Sequence, residues 1–162
     1  MNEIVSTLLI GALATAVVDL WAIVRQILFG VPQPNYGLVG RWIAGLARGR
    51  WGGTPIAAST PVRGERAIGW IAHYAIGVAF AALLPAFWGA QWIQNPTFAP
   101  AMIVGIATVA APYFILQPGM GAGIAATRTP RPAAARLHSL VMHAVFGVGL
   151  FVAGTVVSYF AP

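Results

Sequence analysis

Residues 136–150, RLHSLVMHAVFGVGL, decide how this chain is read. The stretch opens on Arg136, carries His138 and His143, and is otherwise apolar; the run stays uncharged through residue 160. A helix needs roughly 20 mostly apolar residues, at about 1.5 Å each, to cross the hydrocarbon of a bilayer. The segment 136–160 meets that length and is read as a membrane span with a histidine kept well inside it.

Composition extends this reading to the whole chain. Only 7% of residues are charged and the mean hydropathy is +0.79, whereas soluble domains carry about 25% charged residues. The polar surface needed to cover a water-facing globule is missing, so lipid is the solvent for most of the molecule. Nine basic residues against three acids give a net charge of +6. All nine are arginines confined to two loops and their edges, which argues against a nucleic-acid partner. The Lys-free, Ala/Gly-rich composition reads as base-composition bias. Cysteine is absent, which excludes disulfides, thiolate metal sites and cysteine nucleophiles. The start, MNEIVSTLL, carries Glu3 and no basic residue. It does not read as a secretory signal, and the apolar run after it is long enough to stay as a span.

The expected fold is all-α: one membrane domain over 1–162, with transmembrane helices at about 4–29, 66–92, 97–117 and 136–160 arranged as two hairpins. A tight turn at WIQNPTF, marked by Asn95-Pro96, joins the second and third spans. Pro112 predicts a kink inside the third span, which Gln117-Pro118-Gly119 ends. The loop 31–65 holds Arg41, Arg48, Arg50 and Arg63, with Arg25 and Arg66 at its edges; the loop 118–135 holds Arg128 and Arg131, with Arg136 at its edge. The excess of arginine places both loops in the cytoplasm and both termini outside. Within the first loop, Leu38, Val39, Trp42, Ile43 and Leu46 recur at helical spacing. They predict a short helix over 38–47, lying in the interface or re-entering the membrane. Residues 52–65 read as irregular loop.

Sliding the chain by 70 residues lays RAIGWIAHYAIGV (66–78) over RLHSLVMHAVFGV (136–148). Arg66 meets Arg136, His73 meets His143, Gly77 meets Gly147 and Val78 meets Val148. Each histidine is flanked four residues away on both sides by a small residue, namely Gly69 and Gly77, or Ser139 and Gly147. Residues four apart share a helix face, and small residues there let another backbone approach. The two spans enter from the same side, so the relation is that of a parallel repeat. The match is four identities in thirteen, in a composition where chance also yields such a score, and duplication stays an open alternative.

The stretches PNYGLVGRW (34–42), GWIAHY (69–74), QPGMGAG (117–123), TRTPRP (127–132) and HAVFGVGL (143–150) resemble, in order, an uncharacterised bacterial integral membrane family, the domain-of-unknown-function family 2938. The resemblance implies a small polytopic inner-membrane protein. It brings no activity and no catalytic residue.

Ionisable groups in lipid are costly and mark function or interhelical contact. His73 and His143 each lie seven residues past an arginine, roughly 10 Å below the cytoplasmic interface. Asp19, with Thr15 one turn away, falls at similar depth, and Tyr74, Tyr113 and Gln117 join the same layer. Three readings compete for these groups. They hold the bundle together by interhelical hydrogen bonds, or they form a protonatable site for translocating an ion or small solute. Alternatively His73 and His143 are the axial ligands of haem b, with Arg66 and Arg136 toward its propionates. A zinc site from the two histidines and Asp19 has suitable ligand types.

His138 is expected at the headgroups, and Arg25 is expected to snorkel to the interface. GMGAG (119–123) follows a membrane helix rather than a strand and so is not a dinucleotide loop; with Arg128 and Arg131 behind it, it is a candidate for lipid phosphate. Trp88, Trp92, Tyr159 and Phe160 are expected to form an aromatic belt. No G-x-S-x-G, HExxH or paired-carboxylate arrangement is present, so no enzyme is expected. Four spans are few for a lone transporter, which points to a homo-oligomer or a larger membrane complex.

Overall fold

The computed structural model describes residues 1–52 and 54–160, and among these the regular structure is all helical. Helix α1 (Glu3–Phe29) begins where the Asn2 side chain accepts from the Val5 amide, which satisfies one of the orphan donors of the first turn. It ends at Gly30, whose φ of 65° suits glycine and returns its N–H to the Gln26 carbonyl. Helix α2 (Tyr36–Leu46) is capped in the same way by Asn35, which accepts from Gly37. A 3₁₀ turn, Ile56–Ala58, precedes α3 (Glu65–Ala81), α4 (Leu83–Trp88) and α5 (Gln91–Gln94). Helix α6 (Phe98–Ala107) leads to a π-helical turn (Pro112–Leu116), α7 (Gln117–Gly119), a 3₁₀ turn (Ile124–Ala126) and α8 (Pro132–Phe160).

Four stretches are long and apolar enough to cross a membrane: Glu3–Phe29, Glu65–Trp88, Phe98–Gly119 and Pro132–Phe160. They share their centres with the expected spans and differ at the ends, for local reasons. The second stops at Trp88 rather than residue 92 because Gly89 takes φ 76°. The turn expected at WIQNPTF instead contains the short helix α5. The fourth starts at Pro132, earlier than residue 136, since proline is tolerated in a first helical turn and Ala133–Ala135 propagate the helix.

Prolines explain the two interruptions. Pro85 has no N–H to offer the Ala81 carbonyl, and α3 breaks into α4 at Ala82. Pro112 likewise leaves the Thr108 carbonyl without its helical donor, and α6 ends at Ala107. The chain then widens into a π turn, in which the Gln117 amide reaches back five residues to the Pro112 carbonyl. The kink expected at Pro112 therefore takes a specific form.

The chain folds as two compact units, each described by itself. The first comprises Met1–Gln33, Tyr74–Thr108 and the segment from Val141 on. Its core is built from Ile10, Ala14, Val18, Leu84, Val104, Phe146, Leu150 and their neighbours. Helices approach closely where side chains are smallest. A Cβ placed on Gly105 would lie 2.5 Å from the Gly147 Cα, and one on Gly11 would lie 2.5 Å from the Val78 Cα. Trp92, expected at the interface, instead lies in this core at 3% exposure, with its ring against Gly154 and its indole N–H donated to the Thr97 carbonyl at 3.3 Å. The wall opposite Gly154 is too small to keep an indole out, and α5 turns the ring inward. Tyr159 and Phe160 are exposed.

The second unit comprises Pro34–His73 and Val109–Leu140. There α2 crosses α3 with Gly40 against the Glu65 carbonyl and Gly69 against Tyr36. Arg41 ties the crossing down with a fork to Glu65, both N–O distances being 2.8 Å. Its remaining nitrogen donates to the Ser59 carbonyl at 2.8 Å and the Ile56 carbonyl at 3.3 Å. The hydrogen bond with Glu65 holds the Arg41 pKa above its ordinary value.

The glycine crossings are directly testable. Gly147→Val places a branched side chain on Met102 and Gly105 and is expected to cost about 1–3 kcal/mol in a denaturant titration in detergent. Ala79→Val, on an exposed face of α3, is expected to change stability by less than about 0.5 kcal/mol.

Candidate functional site

In the first unit, α1 and α3 run against each other as a ladder. Gly11 meets Val78, Thr15 meets Gly77, and one turn further Asp19 meets Tyr74. The steps on α1 are four residues, the spacing of one helix face. Because Gly11 and Gly77 carry no side chain, the helices come close enough for the Tyr74 hydroxyl to donate to Asp19 Oδ2 at 3.0 Å. Both residues are only partly buried. Thr15 is fully buried and folds its hydroxyl back onto the Gly11 carbonyl at 2.8 Å.

His143 sits on α8 beside the end of α6. Its Nδ1 lies 3.0 Å from Thr108 Oγ1 and 3.1 Å from the Gly105 carbonyl, and Thr108 Oγ1 lies 2.8 Å from that same carbonyl. Hydrogen counting assigns the tautomer. A carbonyl only accepts, so the one Thr108 proton goes to Gly105 and Nδ1 carries a hydrogen shared between the two oxygens. The Phe80 ring lies 6.3 Å from the imidazole, centroid to centroid.

The other sequence-selected residues fall in the second unit. His73 stacks on Tyr36 with ring centroids 4.1 Å apart and planes 24° apart, and Trp70 lies 5.9 Å away edge-on. Tyr113 donates to the Arg136 carbonyl at 2.7 Å, and Arg136 Nε donates to the Ala125 carbonyl at 2.8 Å. Gln117 donates to Ser139 Oγ at 3.1 Å, while its Oε1 is buried without a partner. Arg66, Arg128 and Arg131 are exposed, and His138 is half-buried. Arg25 is only 7% exposed, so protein covers most of its side chain. Among the described residues, no three His, Asp or Glu side chains group as metal ligands.

The six residues of the expected polar layer thus separate by partner. Tyr113 and Gln117 are bonded to α8, and His143 to α6. Sequence reasoning passed over Thr108, although its position four residues before Pro112 marks a helix end with a freed carbonyl. It also passed over Glu65, the one carboxylate that follows Asp19 in the chain and the partner of Arg41.

Four helices are long and apolar enough to cross a membrane, which suggests a helical membrane protein. The family described as "Protein of unknown function (DUF2938)" matches residues 8–157, a range that contains Asp19, Tyr74, Thr108 and His143, and the chain belongs to it. No curated protein and no solved structure matches the chain.

The His143 bond can be measured. Thr108→Val keeps the side-chain volume and removes the hydroxyl, and is expected to lower stability by about 1 kcal/mol, the scale of an interhelical hydrogen bond in a membrane protein. Thr155→Val removes a hydroxyl bonded only to the Phe151 carbonyl of its own helix, and is expected to lose less than half as much.

Proposed function

We propose that the protein is a multi-pass inner-membrane protein in which Asp19 and Tyr74 form a protonatable site serving the translocation of an ion or small solute. The observation that carries this reading is the Asp19–Tyr74 contact itself: a carboxylate in the middle of an apolar helix, partly accessible, held by a phenol rather than sealed in the core. A carboxylate there is expensive whether it is charged or neutral, and such groups recur where protons or cations cross membranes. A phenol that donates to the ionised form and stays in place when the carboxylate gains a proton allows both states.

In this reading the chain is two helical hairpins, Glu3–Phe29 with Glu65–Trp88 and Phe98–Gly119 with Pro132–Phe160. The arginine loops face the cytoplasm and both termini lie outside. The equivalence of the hairpins draws support from their crossings: Gly11 packs at Val78 beside Gly77, and Gly105 packs at Gly147, the glycine that aligns with Gly77. Helix α2 lies along the cytoplasmic interface, and the working unit is an oligomer or a larger complex. No catalysis is proposed.

A second reading, a purely structural membrane subunit, is favoured by the bonds of His143, Tyr113 and Gln117, all of which run from helix to helix. Flux measurements on reconstituted protein separate the two. Under translocation, wild-type proteoliposomes carry a proton- or cation-linked flux that Asp19→Asn lowers at least tenfold, since Asn still accepts from Tyr74 but does not titrate. A wild-type protein that is folded and silent toward every ion tested contradicts translocation and leaves the structural reading standing.

A further inference from the structure

The second unit contains a cavity of about 460 Å³, within the size range of small-molecule sites. It lies beside the C-terminal half of α2, and the loop between α2 and α3 forms most of its wall, with Gly119 closing one side. None of the residues singled out in the chain's polar layer lines it.

The chemistry of the wall is one-sided. Arg41, Arg48 and Arg50 line the cavity, and no carboxylate does. Arg41 is committed to Glu65 and to two carbonyls. Arg48 and Arg50 are exposed, and neither is paired with a carboxylate among the described residues. Three of the carbonyls in this loop are already engaged. Arg41 takes the carbonyls of Ile56 and Ser59, and the buried Trp42 indole takes the Trp51 carbonyl at 2.9 Å. The hydroxyls of Thr54 and Thr60 remain as neutral donors. At the rim the Trp51 ring is 57% exposed, edge-on to Trp42 at 5.8 Å, and offers an apolar face beside the two free guanidinium groups.

We propose that this cavity binds a phosphate group that carries an apolar or glycerol-like body, with Arg48 and Arg50 on the phosphate and Trp51 against the body. Guanidinium groups match phosphate oxygens in charge and fork geometry. In a membrane protein the abundant source of that chemistry is the headgroup of an anionic phospholipid; a soluble phosphate monoester is the other. The site differs from the one that glycine-rich residues 119–123 with Arg128 and Arg131 suggest from sequence: only Gly119 is shared, and the cations come from the first loop.

The test uses the full-length protein in a neutral detergent, with bound lipid counted by native mass spectrometry after titration with phosphatidylglycerol, phosphatidylcholine or glycerol phosphate. Phosphatidylglycerol is expected to bind at a single preferred site. Arg48→Gln/Arg50→Gln is expected to weaken it roughly 30-fold, the loss of two arginines at an anionic headgroup. Arg63→Gln, which removes a charge from the same loop outside the cavity, is expected to change binding less than about twofold. All three positions are exposed, and unchanged helix content and elution confirm that the variants fold. Glycerol phosphate binding as tightly as phosphatidylglycerol, with the same loss in the double variant, upholds the phosphate site and assigns it to a soluble ligand. Phosphatidylcholine binding equally well, or Arg63→Gln weakening binding as much per charge as the paired substitution, overturns the proposal.

Discussion

Lipid offers no hydrogen bonds, so the polar groups that this chain places in its membrane-length helices are driven to find partners within the protein. Most of what is specific about the molecule follows from that constraint. Thr15 turns back onto its own helix, His143 binds Thr108 and a helix carbonyl, Gln117 reaches Ser139, and Tyr74 reaches Asp19. Hydrophobic burial, which organises soluble proteins, does little to choose between arrangements here, because lipid tails are as apolar as leucine. Close packing and polar pairing choose instead.

Glycine makes those pairings possible. The carboxylate–phenol contact depends on the rungs below it, where Gly77 leaves room for Thr15 and Gly11 meets the Val78 backbone. The His143 contact depends in the same way on Gly105 and Gly147, which bring the α6 carbonyl within reach of the ring. The two proline sites act in the opposite sense. They free carbonyls and widen the helix, most plainly in the π turn that carries Tyr113 and leads to Gln117. Local sequence thus sets helix geometry, helix geometry sets interhelical distance, and distance decides which polar atoms pair.

Much of this was legible in the amino-acid order. Apolar length located the four long helices to within a few residues, because a bilayer sets a minimum length that no other element in the chain meets. The proline break and the small residues around both histidines were also visible, as each is a local steric fact. The pairings were harder to read, since a partner lies on another helix whose rotation no periodicity fixes. His143 was aligned with His73 and grouped with Asp19 in one polar layer, but the groups it bonds, the Thr108 hydroxyl and the Gly105 carbonyl, carry no mark in the amino-acid order. Trp92 was assigned to an aromatic belt on residue type, yet it is buried in the core, because Gly154 facing it leaves room for the ring. The basic cavity of the first loop left no pattern at all: its residues are brought together by an irregular chain path, which has no period.

The two candidate sites obey one electrostatic logic. A charge is kept only where its surroundings give it a reason: Arg41 and Glu65 neutralise one another, whereas Arg48 and Arg50 face open space that suits an anion. Asp19, on an apolar helix, accepts from the Tyr74 hydroxyl. The central claim is that this carboxylate changes its protonation state in the membrane. Infrared difference spectra of the protein in bilayers, recorded across a pH titration, test that claim most directly. The account predicts a carboxyl band that appears as pH falls, vanishes in Asp19→Asn and shifts in Tyr74→Phe. A spectrum with no titrating carboxyl band lost in Asp19→Asn would contradict it.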